Sequence, residues 1–147
     1  MTYTVSKEIE FDAGHRVPNH RSKCRNPHGH RYRVQAVVEG PLGDEPGTSD
    51  EGMVVDFSDL KAALMKLHDQ FDHGFIVFNG DRDLLNVFVH APGDWKLVIV
   101  DYVPTAENIA RFAYDFVDAL MPWPECKLVR VNVWETPTSI ASYGRDA

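Results

Sequence analysis

Two stretches of alternation constrain the fold most. In Tyr3–Phe11 the residues Tyr3, Val5, Ile9 and Phe11 alternate with more polar neighbours, and His30, Tyr32, Val34, Ala36 and Val38 do the same in His30–Val38. Side chains on a strand point to its two faces in turn, so each stretch reads as a half-buried strand. Consecutive early strands favour antiparallel pairing, and their shared apolar face needs a cover. Two helical patterns supply it. The first, with Ser58 as its expected N-cap, carries Leu60, Ala63, Leu64, Leu67 and Phe71. The second opens at Pro104-Thr105 and repeats Ile109, Phe112, Ala113, Phe116, Val117 and Leu120. Further strands are expected at Lys96–Val103 and Lys127–Glu135. Phe75–Ala91 is expected to hold a short strand and a turn of helix. The Gly/Pro/Asp stretch Gly40–Gly52 reads as a surface loop. The order β-β-α-β-α-β, with the helices on one face, is an α+β fold. At ~150 residues per domain, the 147 residues make one domain, 1–147.

Charge narrows the partners. The chain has 15 Lys and Arg against 22 Asp and Glu, a net charge of -7 that argues against a generic nucleic-acid binder. Six cations nevertheless fall between Arg16 and Arg33 (Arg16, Arg21, Lys23, Arg25, Arg31, Arg33) with no carboxylate among them. That window is +6 and the rest of the chain is -13, so positive charge is concentrated in one place. No apolar run approaches the ~18 residues of a membrane span. The first eleven residues contain Lys7, Glu8 and Glu10 and no apolar signal region. Two cysteines, Cys24 and Cys126, make no disulfide framework, so the expected setting is reducing cytoplasm.

The histidines give the first chemical signal. His28 and His30 stand two apart at a strand entry and face the same side. His15 shares the parity of Phe11 and Ala13. If the two strands pair, three imidazoles converge, a set that suits Zn²⁺ and leaves a fourth position open. His20, His68 and His90 show no such pattern and read as surface or loop residues. Cys24, four residues before His28 and amid Arg21, Lys23 and Arg25, has two readings: a thiolate favoured by nearby cations, or a fourth ligand that closes the site. Asp72-His73 is a carboxylate beside an imidazole, the pairing that acid–base chemistry uses. Glu135 shares the parity of Val129, Val131 and Val133. It either leaves register and faces water, the reading that spacing favours, or is buried and accepts N–H bonds from a flat heterocycle.

Taken together, these residues resemble the 6-pyruvoyltetrahydropterin synthase / 6-carboxytetrahydropterin synthase superfamily. The likeness runs through Phe11-Asp12-Ala13-Gly14-His15, Cys24-x3-His28-Gly29-His30 and Gly52-Met53-Val54-Val55-Asp56-Phe57. It continues through Phe71-Asp72-His73, Pro104-Thr105-Ala106-Glu107-Asn108 and Trp134-Glu135-Thr136. The resemblance implies a zinc site made by His15, His28 and His30, with Cys24 as catalytic thiol assisted by Asp72 and His73. It implies Glu135 as the anchor of a pterin ring, with Thr105, Ala106 and Glu107 lining the ring pocket. It implies the tunnelling fold (T-fold): a four-stranded antiparallel sheet with two helices on one side, in subunits that close into a barrel. Members are typically hexamers, two stacked trimers with active sites at subunit interfaces, so Cys24 and Asp72-His73 would come from neighbouring chains.

The three residues between Cys24 and His28 resemble the 6-carboxy branch of the queuosine pathway; the 6-pyruvoyl branch tends to a longer spacing. A third branch has glutamate in place of the cysteine. The substrate implied is 7,8-dihydroneopterin triphosphate, and the products are 6-carboxy-5,6,7,8-tetrahydropterin, acetaldehyde and triphosphate. Phe71 stands where many members carry leucine, and the stretch between Asp72 and Pro104 is longer than in compact bacterial members. A rival from another class is a non-catalytic zinc-stabilised module with Cys24 in the metal shell. RNA binding through the basic window is disfavoured by net charge and by the lack of repeated exposed aromatics.

Overall fold

The structure, a computed structural model, describes residues 1–123 and 125–145; the expected domain 1–147 also includes Pro124, Asp146 and Ala147, which lie outside the described residues. Strands β1 (Tyr3–His15) and β2 (His28–Gly40) pair antiparallel along their whole length, with Phe11 opposite Tyr32, Ala13 opposite His30 and His15 opposite His28. Strand β5 (Lys127–Thr136) adds antiparallel to β2, and β6 (Ser139–Gly144) adds antiparallel to β5. Three of the four expected antiparallel strands take this arrangement; the fourth antiparallel place goes to Ser139–Gly144, which no sequence pattern marks, and not to Lys96–Val103.

The other edge departs from expectation. Strand β3 (Gly74–Phe78) lies parallel to β1, and β4 (Leu97–Val100) lies parallel to β3. The sheet is therefore six-stranded and mixed, in the order β4-β3-β1-β2-β5-β6. The expected strand Lys96–Val103 shortens to Leu97–Val100 and joins this parallel edge.

Helices α1 (Phe57–Phe71) and α3 (Ala106–Leu120) cover one face. Leu60, Ala63, Leu64, Leu67 and Phe71 of α1 are all buried, as are Ile109, Ala113 and Val117 of α3; Leu120 is exposed. Each fully buried Leu or Phe contributes roughly 2 kcal/mol. Phe11, Tyr32 and Phe71 stack at the centre, with Phe11 5.4 Å from Tyr32 and 5.5 Å from Phe71. The N-cap of α1 is Asp56 rather than Ser58: the Asp56 carboxylate accepts the Ser58 N–H at 2.8 Å. Apolar periodicity begins at Leu60, so it misses a first turn whose Phe57 is half exposed.

A third helix, α2 (Arg82–His90), links β3 to β4. Its Phe88 meets Phe75 with ring centroids 5.2 Å apart. Phe75 has opposite parity to the core residue Ile76, so α2 lies on the face away from α1 and α3. The α2 N-cap, Asp81, is buried, accepts the Leu84 N–H and is bridged by Arg16, whose Nε donates at 2.7 Å.

Candidate active site

The β1–β2 register brings the three histidines together. His15 is the last residue of β1, and His28 and His30 open β2, all on the face that carries Tyr32 and Phe11. Ring centroids are 4.6 Å apart for His15–His28, 5.1 Å for His15–His30 and 4.9 Å for His28–His30. One ligand-type atom from each lies within 4.8 Å of the other two.

Two of the rings have their tautomers assigned by backbone carbonyls. His15 Nδ1 donates to the Pro104 carbonyl at 2.7 Å, and His28 Nδ1 donates to the Asn26 carbonyl at 2.6 Å. Their Nε2 atoms then carry lone pairs and face each other at 3.1 Å. A second carbonyl or carboxylate behind the ring is how metal-ligating histidines are oriented and made more basic. Burial pushes the His15 pKa down to about 4, since the imidazolium would lose its water, and the neighbouring His28 and His30 push it the same way. His15 therefore stays neutral, the form that binds a metal. His30 is lowered by burial too, with Glu135 opposing. Its Nε2 is buried with no hydrogen-bond partner among the described residues. Three converging imidazoles, with one buried, unsatisfied nitrogen among them, fit Zn²⁺.

Cys24 does not join that set among the described residues. It is half-buried in a 3₁₀ turn, Lys23–Arg25, that is tied back by Val17 N–H donating to the Cys24 carbonyl at 2.9 Å. The geometry therefore disfavours the fourth-ligand reading.

Glu135 stays close to the histidines instead of turning to water. Its Oε1 is 3.4 Å from His30 Nε2, and its side chain is 24% exposed. It sits at the irregularity in the β5–β6 register and lines a cavity of about 450 Å³ with His30, Arg33, Trp134 and Pro137. The Arg33 guanidinium lies over the Trp134 ring, 4.0 Å from its centroid.

Asp72 and His73 form a pair elsewhere. His73 Nδ1 donates to Asp72 Oδ2 at 2.7 Å, and the Asp72 pKa is lowered, first by this bond and then by the Asp12 N–H that donates to Oδ1 at 3.0 Å. The His73 N–H donates to the Asp12 carbonyl at 2.7 Å. His73 has φ of 58°, a left-handed backbone that costs a non-glycine residue roughly 1–2 kcal/mol. Its side chain is 78% exposed over an open hollow of about 430 Å³. The hollow reaches Ala13 and His30, but Asp12, Gly14, Gly29 and Arg31 in its walls have the parity of the opposite sheet face. Gly14 is needed here, because a Cβ would fall 2.6 Å from the Phe75 ring. One chain thus does not bring Asp72-His73 onto the histidine face.

Thr105 is the N-cap of α3, its hydroxyl accepting the Asn108 N–H at 3.3 Å; Ala106 is half-buried and Glu107 exposed. The link from this motif to the site is the Pro104 carbonyl, which no side-chain pattern could reveal. Of the six clustered cations, three are engaged by carboxylates: Arg16 by Asp81, Arg31 by Glu10 and Asp12, and Arg33 by Glu8 at 3.8 Å. Arg21, Lys23 and Arg25 are exposed around Cys24, with no ion pair among the described residues.

An α+β sheet of this topology, with imidazoles gathered at one end of its central hairpin and a carboxylate beside them, defines a T-fold protein with a metal-type centre. The chain belongs to the 6-pyruvoyl tetrahydropterin synthase family, whose model matches residues 4–146. It is 34% identical to the 6-carboxy-5,6,7,8-tetrahydropterin synthase of Haemophilus influenzae over 143 residues, covering 96% of this chain and 98% of that one. It is 34% identical to the protein of the same name from Aquifex aeolicus, covering 97% and 98%. Its fold matches an uncharacterized protein from Wolinella succinogenes with a TM-score of 0.83, at 24% identity over 99% of both chains. It matches the 6-pyruvoyl tetrahydropterin synthase of Caenorhabditis elegans with a TM-score of 0.70, at 26% identity over 98% and 96%. The chain is an enzyme of the pterin synthase kind.

Proposed function

We propose that the chain is a zinc-dependent 6-carboxy-5,6,7,8-tetrahydropterin synthase, a lyase acting on 7,8-dihydroneopterin triphosphate. The observation that carries this is the converging His15–His28–His30 cluster, with His15 and His28 oriented by backbone carbonyls and Glu135 at its side. The same-named relatives support the branch.

His15, His28 and His30 hold the zinc, which when bound supplies Lewis acidity toward the substrate's side-chain oxygens. Glu135 accepts paired N–H bonds from the pyrimidine edge of the pterin and so orients the ring. Thr105, Ala106 and Glu107 line the ring pocket. Cys24, as thiolate, takes a carbon-bound proton of the side chain. His73 moves protons during tautomerisation, with Asp72 holding its Nδ1–H so that Nε2 is the accepting atom. The opposite-face placement of Asp72-His73 supports a site completed by a second copy of the chain, in a hexamer of two trimers. Arg21, Lys23 and Arg25, free of ion pairs among the described residues, meet the triphosphate.

Incubation with 7,8-dihydroneopterin triphosphate, read by mass, tests the reading. Acetaldehyde and 6-carboxytetrahydropterin are expected. A tetrahydropterin that keeps its three-carbon side chain assigns the 6-pyruvoyl reaction instead, and no turnover by the zinc-loaded protein overturns both.

A further inference from the structure

The His73 backbone conformation is unfavourable for its residue type, so something must hold it. Two of the holds come from β1, through the N–H and carbonyl of Asp12. A third comes from the segment between α2 and β4, which carried no functional signal in the sequence. Lys96 Nζ donates to the Asp72 carbonyl at 2.6 Å and to the Asp69 carbonyl at 2.8 Å. Asp72 is the C-cap of α1, and its carbonyl belongs to the peptide that leads into His73. The ammonium therefore grips the peptide plane whose rotation would swing the imidazole away from its carboxylate. It also sits at a helix C-terminus, where unsatisfied carbonyls and the negative end of the helix dipole favour a cation. Lys96 is itself held in place. Its carbonyl accepts the Phe75 N–H at 2.9 Å, the bond that starts the β3–β4 ladder. The residues on both sides of the Asp72-His73 turn are thus locked to one lysine.

We propose that Lys96 is a positioning residue for the Asp72–His73 pair, fixing the turn so that His73 Nδ1–H stays on Asp72 and Nε2 stays available for proton transfer. This rests on the reading of His73 as a proton carrier given above. Loss of the ammonium frees the Asp72–His73 peptide, and a misplacement of a proton carrier by about 1 Å lowers turnover on the order of a hundredfold.

The test uses the zinc-loaded, full-length protein. Lys96→Met keeps most of the aliphatic stem and removes the donors. It is expected to lower kcat by roughly ten- to a hundredfold with KM changed less than about threefold. Nitrogen NMR of His73 should show the Nδ1–H tautomer losing its dominance, toward the Nε2–H form favoured by free imidazole. Lys96→Arg, whose guanidinium can span two carbonyls, should restore both readouts in large part. A folded Lys96→Met protein with wild-type kcat or a wild-type His73 tautomer balance overturns the proposal. So does a Lys96→Arg variant that folds but recovers neither. If Lys96→Met fails to fold, Lys96→Gln, shorter and uncharged, is read by the same two measurements. If the wild-type protein does not turn over the pterin, the functional reading fails, while the His73 tautomer still decides whether Lys96 sets the turn.

Discussion

At the scale of single residues, the chemistry depends on which nitrogen carries which proton. His15 in the unfolded chain takes up a proton near 6.5, but in the folded, metal-free protein only near about 4. Between those values the unfolded state binds more protons, so stability falls as the pH drops from 6.5 toward 4 and is unaffected by this group above 6.5. Urea unfolding of the metal-free protein across that range should show the decline, by about 3 kcal/mol for His15 alone by pH 4. Flat stability there would mean that His15 is not buried neutral. Two substitutions separate ligand from base. His28→Ala should lose zinc, measured by metal analysis after dialysis, whereas Cys24→Ala should keep stoichiometric zinc and lose turnover. Zinc lost from Cys24→Ala would move the thiol into the metal shell. The parity of His15, His28 and His30 in the sequence was enough to assemble this cluster. Glu135 was not legible in the same way, because spacing could not tell a register break that exposes a side chain from one that turns it toward His30.

At the scale of elements, the sequence revealed those with strong periodicity and hid those without it. Both strands of the central hairpin and the buried stripes of α1 and α3 could be read because alternation and the 3.6-residue repeat are imposed by one-sided burial. Strands β3 and β4 are short, so the sequence marks them only loosely, as a short strand within Phe75–Ala91 and as Lys96–Val103, while β6 buries only Ala141 and carries no pattern. Helix α2 buries only Leu84, leaving it legible as no more than a turn of helix. The caps test how local these signals are. Thr105→Ala removes the hydroxyl that accepts the Asn108 N–H and should cost about 1 kcal/mol in chemical denaturation, with Thr105→Ser close to wild type. A larger effect on metal retention than on global stability would show that the cap acts chiefly through Pro104 and His15.

At the scale of the whole molecule, one sheet separates two sets of residues that the proposed reaction needs together. The histidines lie on the helix-covered face at its open end, while the hollow beside His73 is walled by Asp12, Gly14, Gly29 and Arg31 of the other. A second copy is the simplest way to unite them, and mixing variants tests it. Cys24→Ala and His73→Ala proteins, each expected to be inactive alone, should regain activity when unfolded, mixed and refolded together, because a site between unlike copies can receive an intact cysteine from one and an intact histidine from the other. No recovery in mixed oligomers verified by native mass spectrometry would place the whole site in one chain. No helix among the described residues is long and apolar enough to cross a membrane.

The bond from His15 to the Pro104 carbonyl has a consequence beyond orientation. One edge of that imidazole is fastened to the residue just ahead of the α3 cap, and the other edge faces His28. An ion captured there is therefore tethered, through one aromatic ring, to the docking of a fifteen-residue helix. Amide hydrogens in the first turns of α3, at Ile109 and Ala110, should exchange more slowly once zinc is loaded. Conversely, a chain whose α3 has not docked leaves the His15 ring free to spin and grips the ion poorly. Metal retention would then report that this part of the chain has finished folding, a checkpoint written into a single backbone oxygen.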